Sequence, residues 1–445
     1  MSTGADTAAG EGLAGRRPSL SAAAAVRLQS QSRSASQLVR AKALKVISRH
    51  AVNVKMETMS CTPPEWFSAS REVHDVTAAD VEPSDSESRR ADCHFASLFV
   101  SISSSGLRQT TVLRRVDGST HRGLVKQSAG GVGRNMADAL GKMNVSPRPL
   151  LVTALGADAM NAVVLRSLRH LDQEGVAVLE DERTASYALV LNSKGECLFG
   201  VGDMDIHRRL DQQVKNFEQQ LTHSPLVVMD GNLPEKTIHH VLSVCRGASV
   251  PVWFEPTDIR KASLPFSSDL WKGLHFVSPN INELRIMCQA AGIAVGESRS
   301  CNRDYLLEEA CALSVALAKH IAVVIVTLGK LGLVVARRGD ARDVLMQEGG
   351  RMRGRGDDAL APVSARVYSV PEARDVVSVS GAGDCLAAGF IAGVLSRLSE
   401  EQCVAVGVCA ARLSLRSASA VPARLFDVRK WAGHAASVPY YTHTS

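Results

Sequence analysis

The segment Val377–Leu395 reads VSVSGAGDCLAAGFIAGVL, so that two glycines and an alanine stand directly before a run of small and apolar residues. We expect this run to form a helix whose positive dipole end and backbone N–H groups are open to a ligand. Gly381, Ala382 and Gly383 would then form an anion hole for a phosphoryl group in transfer. Asp384, in the first turn, could accept the proton of an attacking hydroxyl. The alternative is a tight turn in which Asp384 only caps the helix.

A second glycine-rich segment, SAGGVGRNMADALGKM at residues 128–143, also runs into an amphipathic helical pattern. Gly130 and Gly131 let a polar ligand approach the backbone closely, because they have no Cβ. The Asn135 side chain carries two donors and an acceptor, which suits a diol. The spacing is not that of a dinucleotide-binding loop, and no predicted strand leads straight into it. The alternative is a plain loop followed by an asparagine on a solvated helix face.

The third motif, VSPNINEL at residues 277–284, follows an apolar run that is typical of a buried strand. Asn280 and Glu283 would stand at the carboxyl end of that strand, where open α/β sheets bind ligands. Asn280 could contact a phosphate or a water on a metal, and Glu283 could hold Mg²⁺ through water. The same pair also fits a helix capping box, which needs no ligand.

The fourth motif, VIVTLGKLGLVV at residues 324–335, runs from another apolar strand into a glycine-rich turn. Thr327, Gly329 and Gly332 could line a site for nucleotide phosphates. A simple connection between two strands accounts for the same residues without a ligand. The place of this motif in the order of the other motifs along the chain is therefore needed to decide between the two interpretations.

Around these motifs, short apolar runs alternate with helical patterns. Strands are predicted at Leu150–Leu155, Pro225–Asp230, Pro251–Glu255, Leu274–Val277, Ile321–Thr327 and Leu333–Ala336. Helices are predicted at Asp158–Leu171, Glu235–Cys245, Asn282–Ala291, Leu306–His320, Asp384–Leu398 and Glu400–Ser417. The alternation predicts an α/β fold with a mostly parallel sheet between helices. A hairpin signal at Ala185–Val201 and a strand-like stretch at Leu107–Val125 predict a small separate β-sheet.

The four motifs occur in the order GGxxxN, PNxxE, TLGxxG and GAGD. This order resembles the PfkB-type carbohydrate kinase family over roughly residues 94–430. The resemblance implies a ribokinase-like fold with a small β lid, and ATP and Mg²⁺ as cofactors. It implies that the first motif binds the sugar, that the middle two serve ATP and Mg²⁺, and that the last supplies anion hole and base. The residues concerned are Gly130, Gly131 and Asn135 for the sugar, Asn280, Thr327, Gly329 and Gly332 for ATP, Glu283 for Mg²⁺, and Gly381, Ala382, Gly383 and Asp384 for catalysis.

Within the family, GGVGRN, VVMDGNLP, VWFEPTDIRKA and SPNINEL are similar to phrases of the pseudouridine-kinase branch. That likeness implies phosphorylation of pseudouridine at its 5′-hydroxyl. One departure stands out, since the stretch after SLFV, residues 97–100, has no Asp where family members carry a sugar-binding Asp. The alternatives are therefore a ribokinase-like or adenosine-kinase-like activity on another sugar or nucleoside, or a relative that binds ligand without catalysis.

The bulk composition excludes several other classes of protein. With 51 Lys and Arg against 45 Asp and Glu, the net charge of +6 is too small for an overall nucleic-acid surface. The ten cysteines form no CxxC pair, and no apolar run reaches the roughly 18–20 residues of a membrane span. We therefore expect neither nucleic acid nor a membrane as partner. The family resemblance implies a small-molecule sugar or nucleoside substrate and is compatible with a homodimer.

The two ends of the chain differ from the kinase-like region. Residues 1–93 are rich first in Ala, Ser and Arg and then in acids, which predicts a disordered leader and linker. The chain is expected in the cytoplasm, and a mitochondrial presequence is the alternative for its basic first part. Residues 431–445 are expected to form a C-terminal tail.

Overall fold

The computed structural model describes residues 97–100, 105–111, 123–191, 197–296, 302–347, 352, 362–433 and 438–443. The predicted leader and linker, residues 1–93, lie outside the described residues. The strands, numbered in chain order, are β1 Ser97–Val100, β2 Ser105–Thr111, β3 Gly123–Ala129, β4 Leu150–Gly156, β5 Val176–Leu179, β6 Ser186–Leu191, β7 Cys197–Asp203, β8 Leu226–Asp230, β9 Val252–Glu255, β10 Phe276–Val277, β11 Val323–Thr327, β12 Leu333–Arg338, β13 Val363–Tyr368 and β14 Tyr440–His443.

In the part of the chain that the structure describes, ten of these strands form one sheet in the order β14-β13-β12-β11-β10-β9-β8-β1-β4-β5. From β5 to β11 every neighbouring pair is parallel. From β11 to β14 every pair is antiparallel. The mostly parallel α/β sheet predicted from the alternating pattern is thereby confirmed.

Helices cover both faces of this sheet. They are α1 Val132–Lys142, α2 Ala159–Ser167, α3 Leu210–Asn216, α4 Glu218–His223, α5 Glu235–Gly247, α6 Ile281–Ala290, α7 Arg303–Ala318, α8 Ala382–Leu395 and α9 Glu400–Leu415. Helices α1, α2, α8 and α9 share one hydrophobic core and α3 to α7 share the other. Neighbouring strand residues divide between them: Leu226 and Val228 pack in the first core, and Val227 and Met229 in the second. This division explains why the strands are continuously apolar.

The small residues of α8 allow it to lie unusually close to α9. A Cβ on Gly389 would lie 2.7 Å from the Cα of Gly407. A Cβ on Gly407 would lie 2.7 Å from the carbonyl oxygen of Leu386. Side chains at these positions would force the helices apart, so Gly389 and Gly407 set how closely α8 lies to α9.

The other four strands form the separate sheet β3-β2-β6-β7. Strands β6 and β7 pair as the predicted antiparallel hairpin, and β2 lies between β3 and β6. The sequence therefore predicted the small β-sheet correctly, although it did not predict the parallel pairing of β2 with β6.

Strand β1 is the third strand from the β5 edge of the large sheet, with Leu98 opposite both Leu150 of β4 and Val227 of β8. Strands β5, β13 and β14 were not predicted. Strand β14 pairs with β13 at the sheet edge, so the sheet extends beyond residue 430, where we expected the domain to end. No helix within the described ranges is long and apolar enough to cross a lipid bilayer.

Candidate active site

The N-terminus of α8 is shaped by a glycine in the left-handed conformation. Gly381 is the N-cap, with φ 82° and ψ −1°. A Cβ at this position would lie 2.3 Å from the carbonyl oxygen of Ala420, so that only glycine fits. The turn places Asp384 in the first turn of the helix, as predicted.

Gly383 is a different kind of glycine, because its surroundings are open. Apart from its chain neighbours and the backbone of its own helix, no atom lies within 4 Å of the position that its Cβ would take. It borders a cleft of about 430 Å³ together with Ala382. The N–H of Ala382 already donates to the carbonyl oxygen of Val379 at 3.4 Å. Of the three residues proposed for the anion hole, Gly383 is therefore the one most open to an incoming group, and Gly381 acts through the shape of the turn.

The same cleft is lined by the TLGxxG motif. Thr327, Gly329 and Gly332 contribute to it, and apolar side chains of α8 and α9 form much of its remaining wall. The motif is also the turn between β11 and β12, as the simpler interpretation had it, and its role in binding nucleotide phosphates stays a prediction. Gly332 has φ 98°, and a Cβ there would lie 2.1 Å from the carbonyl oxygen of Tyr368. The turn is thus held tightly against β13 while its other side faces the cleft.

Helix α1 brings the GGxxxN motif to Asp384. Gly131 is the N-cap of α1 with φ 102°, and its carbonyl oxygen accepts from the N–H of Asn135 at 2.8 Å. The Asn135 Nδ2 group donates to the Asp384 Oδ2 atom at 2.6 Å, across 249 residues of sequence. The structure therefore brings together the first and the last motif.

The surroundings of Asp384 raise the pKa of its carboxyl group. Burial raises the pKa of Asp384 to about 6, the hydrogen bond from Asn135 lowers it, and the negative charge of Asp230 raises it further. The carboxyl group is half-buried rather than sealed. A carboxylate with a pKa near 6 is ionised at neutral pH and is better suited to accept a proton than one near 4.

Asp230, at the carboxyl end of β8, is a site residue that the motifs did not indicate. Its side chain is buried and accepts from the N–H of Gly133 at 3.1 Å and from the N–H of Asn232 at 2.9 Å. The first bond holds the first turn of α1 against the sheet. The signal available in the sequence was a carboxylate directly after an apolar strand, within the VVMDGNLP segment.

The PNxxE motif forms the capping box that was one of its two interpretations. The Asn280 side chain accepts from the N–H of Glu283 at 3.1 Å, and the Glu283 carboxylate accepts from the N–H of Asn280 at 2.8 Å. Asn280 forms a parallel bridge with Thr327 but does not itself line the cleft. Burial raises the pKa of Glu283, although its bond to Asn280 acts against the rise.

Glu255, at the carboxyl end of β9, completes a group of acids with Asp230 and Glu283. Burial raises the pKa of Glu255 well above its usual value. A hydrogen bond from the Ser278 hydroxyl opposes this rise in pKa, whereas the negative charges of Glu283, Asp384 and Asp230 add to the rise. This concentration of negative charge would be relieved by a divalent cation. Among the described residues no three His, Cys, Asp or Glu side chains lie close enough to coordinate one ion. A Mg²⁺ ion bound here would therefore have to keep several of its waters.

The family model for pfkB family carbohydrate kinases matches residues 108–424. This chain belongs to that family. It is 28% identical to pseudouridine kinase of Arabidopsis thaliana over 334 residues, which cover 69% of this chain and 87% of that protein. It is 25% identical to pseudouridine kinase of Escherichia coli over 277 residues, which cover 60% of this chain and 74% of that protein. A solved structure of Arabidopsis thaliana ribokinase with ribose and ATP superposes with a TM-score of 0.56 at 17% identity, covering 76% of this chain and 97% of the other.

These comparisons confirm the ribokinase-like fold and the assignment as a kinase of carbohydrates or nucleosides. A small-molecule substrate follows from the same family. The segment that departs from the family pattern continues into residues 101–104 after β1, which lie outside the described residues. The individual roles assigned to the motif residues stay predictions.

Proposed function

We propose that the chain phosphorylates pseudouridine at its 5′-hydroxyl, with ATP as donor and Asp384 as the general base. One observation carries the chemistry: the Asp384 carboxylate lies at the N-terminus of α8, beside the cleft, and contacts Asn135 of the GGxxxN helix. The base thus lies where the proposed sugar-binding and nucleotide-binding motifs meet. The choice of pseudouridine is supported by the similarity to the Arabidopsis pseudouridine kinase over 87% of its length.

In this proposal Asp384 accepts the proton of the 5′-hydroxyl as the hydroxyl oxygen attacks the γ-phosphorus. The bond between that phosphorus and the β-phosphate oxygen breaks, and ADP leaves with the bonding electrons. The first four N–H groups of a helix have no partner within it, so those of Gly383 and Asp384 at the start of α8 can stabilise the charge on the transferred group. Gly383 keeps this approach free of a side chain.

The cleft beside α8 would hold the nucleotide. Thr327 and Gly329 line it together with residues of α8 and α9. Asn280 supports Thr327 through the bridge between them. Glu283, with Asp230 and Glu255 nearby, would hold Mg²⁺ through its waters, and the ion would neutralise charge on the phosphates.

A panel of acceptors with coupled ADP detection tests the proposal. Pseudouridine, uridine, adenosine, ribose and fructose are each supplied with ATP and Mg²⁺. We expect the highest kcat/KM for pseudouridine, with one ADP released for each phosphorylated product. A higher kcat/KM for ribose or adenosine would replace the proposed substrate and leave the kinase assignment intact. The Asp384→Asn variant serves as the control for phosphorylation by any contaminating kinase.

A further inference from the structure

A continuous chain of hydrogen bonds leads from a buried guanidinium to the proposed base. The Arg134 Nη1 group donates to the Asn135 Oδ1 atom at 2.5 Å. The Asn135 Nδ2 group in turn donates to the Asp384 Oδ2 atom at 2.6 Å. Arg134 and Asn135 are both buried residues of α1, and the sequence motifs did not single out Arg134.

The carboxamide of Asn135 is held in one orientation from both ends. A guanidinium can only donate hydrogen bonds and an ionised carboxylate can only accept them. If the amide turned by 180°, its NH₂ group would face the donors of Arg134 and its oxygen would face the Asp384 carboxylate. Both contacts would then be repulsive. Arg134 therefore decides that Asn135 presents a donor, and never an acceptor, to Asp384.

The remaining contacts of Arg134 do not account for an arginine at this buried position by their effect on the stability of the fold alone. Its Nη2 group pairs with Asp138 at 2.8 Å, but Lys142 and His170 already contact the same carboxylate. The buried Nε of Arg134 has no hydrogen-bond partner among the described residues. An unsatisfied buried N–H destabilises a fold, and an apolar side chain would avoid it.

We propose that Arg134 is a positioning residue for the phosphoryl transfer: it fixes the Asn135 carboxamide, and through it the Asp384 carboxylate. The inference rests on the proposed role of Asp384 as the base. Arg134 touches neither substrate in this scheme and acts only through Asn135 and through its positive charge.

The charge effect has a definite sign. Besides the hydrogen bond from Asn135, the charged groups that act on Asp384 are Asp230 at the end of β8 and Arg134 on α1. The Asp384 carboxylate in turn raises the pKa of Glu255 at the end of β9 and of Cys385 on α8. The Asp230 carboxylate favours the protonated form of Asp384, and Arg134 is the cation that opposes it. Removing this cation should raise the pKa of Asp384, so that the enzyme needs a higher pH to work.

The decisive experiment measures kcat, KM and the pH dependence of kcat/KM for Arg134→Met with pseudouridine and ATP. We expect kcat to fall roughly 10- to 100-fold, as a displaced catalytic group predicts, with KM for ATP unchanged. The acidic limb of kcat/KM should move upward by about 0.5–1 pH unit. Lys142→Met is the matched control, because it removes a second cation of Asp138 at 2.9 Å without touching Asn135. The Lys142→Met variant should change the melting temperature, but the acidic limb of its kcat/KM profile should stay at the wild-type pH.

Two further variants keep the inference testable if Arg134→Met folds poorly. Arg134→Lys keeps the charge but cannot bridge Asn135 and Asp138 together, so kcat should fall while the acidic limb stays near its wild-type position. In the double variant with Asn135→Ala, Arg134→Lys should cause no further loss of kcat, because its positioning effect passes through Asn135. Wild-type kcat in Arg134→Lys, or additive losses in the double variant, would overturn the inference. If Asp384→Asn keeps its rate, the proposed function itself fails; if only the Arg134 variants behave as wild type, the base assignment stands without this inference.

Discussion

Replacing Asp384 by Asn tests the proposed mechanism most directly. The substitution nearly preserves shape, and the new amide oxygen can still accept the hydrogen bond that Asn135 donates at 2.6 Å. It removes the proton acceptor, and loss of a general base commonly lowers kcat by roughly 10²–10⁴-fold. The cleft beside α8 stays intact, so KM for ATP should stay close to the wild-type value.

The same variant should be more stable than the wild type at neutral pH. Burial raises the pKa of Asp384 from 3.8 to about 6, so the folded state binds the proton more tightly than the unfolded state. The ionised carboxylate therefore destabilises the fold above pH 6, and this cost disappears below pH 4. The full shift would correspond to about 3 kcal/mol, and partial exposure of the side chain reduces it to about 1–2 kcal/mol.

The assay combines turnover with thermal melting at pH 8 and pH 4. Asp384→Asn should melt several degrees higher than the wild type at pH 8 and at nearly the same temperature at pH 4. Asp138→Asn is the opposite control: although burial acts to raise it, contacts with His170, Arg134 and Lys142 lower the pKa of Asp138, so its removal should destabilise the fold at pH 8. A near-normal kcat in Asp384→Asn would refute the base assignment, and a lower melting temperature at pH 8 would refute the account of its environment.

Three further predictions concern the site and the domain boundary. Gly383→Val should lower kcat strongly with little change in melting temperature, since a Cβ there meets no atom of another element within 4 Å. Gly381→Ala should lower the melting temperature as well, because its Cβ would lie 2.3 Å from the Ala420 carbonyl oxygen. Equal effects of the two substitutions on melting temperature would contradict this distinction. Asn135→Ala should lower kcat and raise KM for pseudouridine, and the combined loss in kcat/KM should correspond to about 1–3 kcal/mol. Steady-state kinetics should show an unchanged KM for ATP. Deleting residues 1–85 should leave melting temperature and turnover unchanged, because β1 and every motif lie downstream; a large drop in melting temperature would mean that the domain starts earlier.

The sequence was most informative where burial on both faces of the sheet leaves a continuous apolar run. Strands β4, β8, β9 and β11 lie within a few residues of their predicted bounds, since a short apolar run between turn residues is typical of a strand buried on both faces. Strand β13, Val363–Tyr368, escaped prediction because it carries Arg366, whose charge makes the run look like a surface segment. In the fold that guanidinium is buried and pairs with Glu400 at 2.7 Å. A long-range ion pair of this kind cannot be read from local patterning.

The sequence predicted which residues form the candidate site but not how their side chains contact one another. The order of the motifs named Asn135 and Asp384, yet nothing in the spacing indicates that these two side chains bond to each other. Asp230 and Glu255 were missed because single carboxylates after strands are common, and only the sheet order places β8 beside β9. Conversely, the capping box and the ligand role proposed for the PNxxE motif are compatible, because one Glu283 oxygen serves the cap.

The bonds of Asn135 also limit how it can hold a substrate. A carboxamide offers two N–H donors and an oxygen with two lone pairs. One donor is engaged with Asp384 and the oxygen accepts from Arg134, so the whole group is not free for a diol as the sequence suggested. What is left is one N–H and one lone pair of the oxygen. If the remaining N–H binds a sugar hydroxyl, a single planar group contacts both the base and the substrate, and the distance between them is set by the amide itself. Occupation of the sugar site and orientation of the base would then be coupled, which is why Asn135→Ala should affect both kcat and KM rather than binding alone.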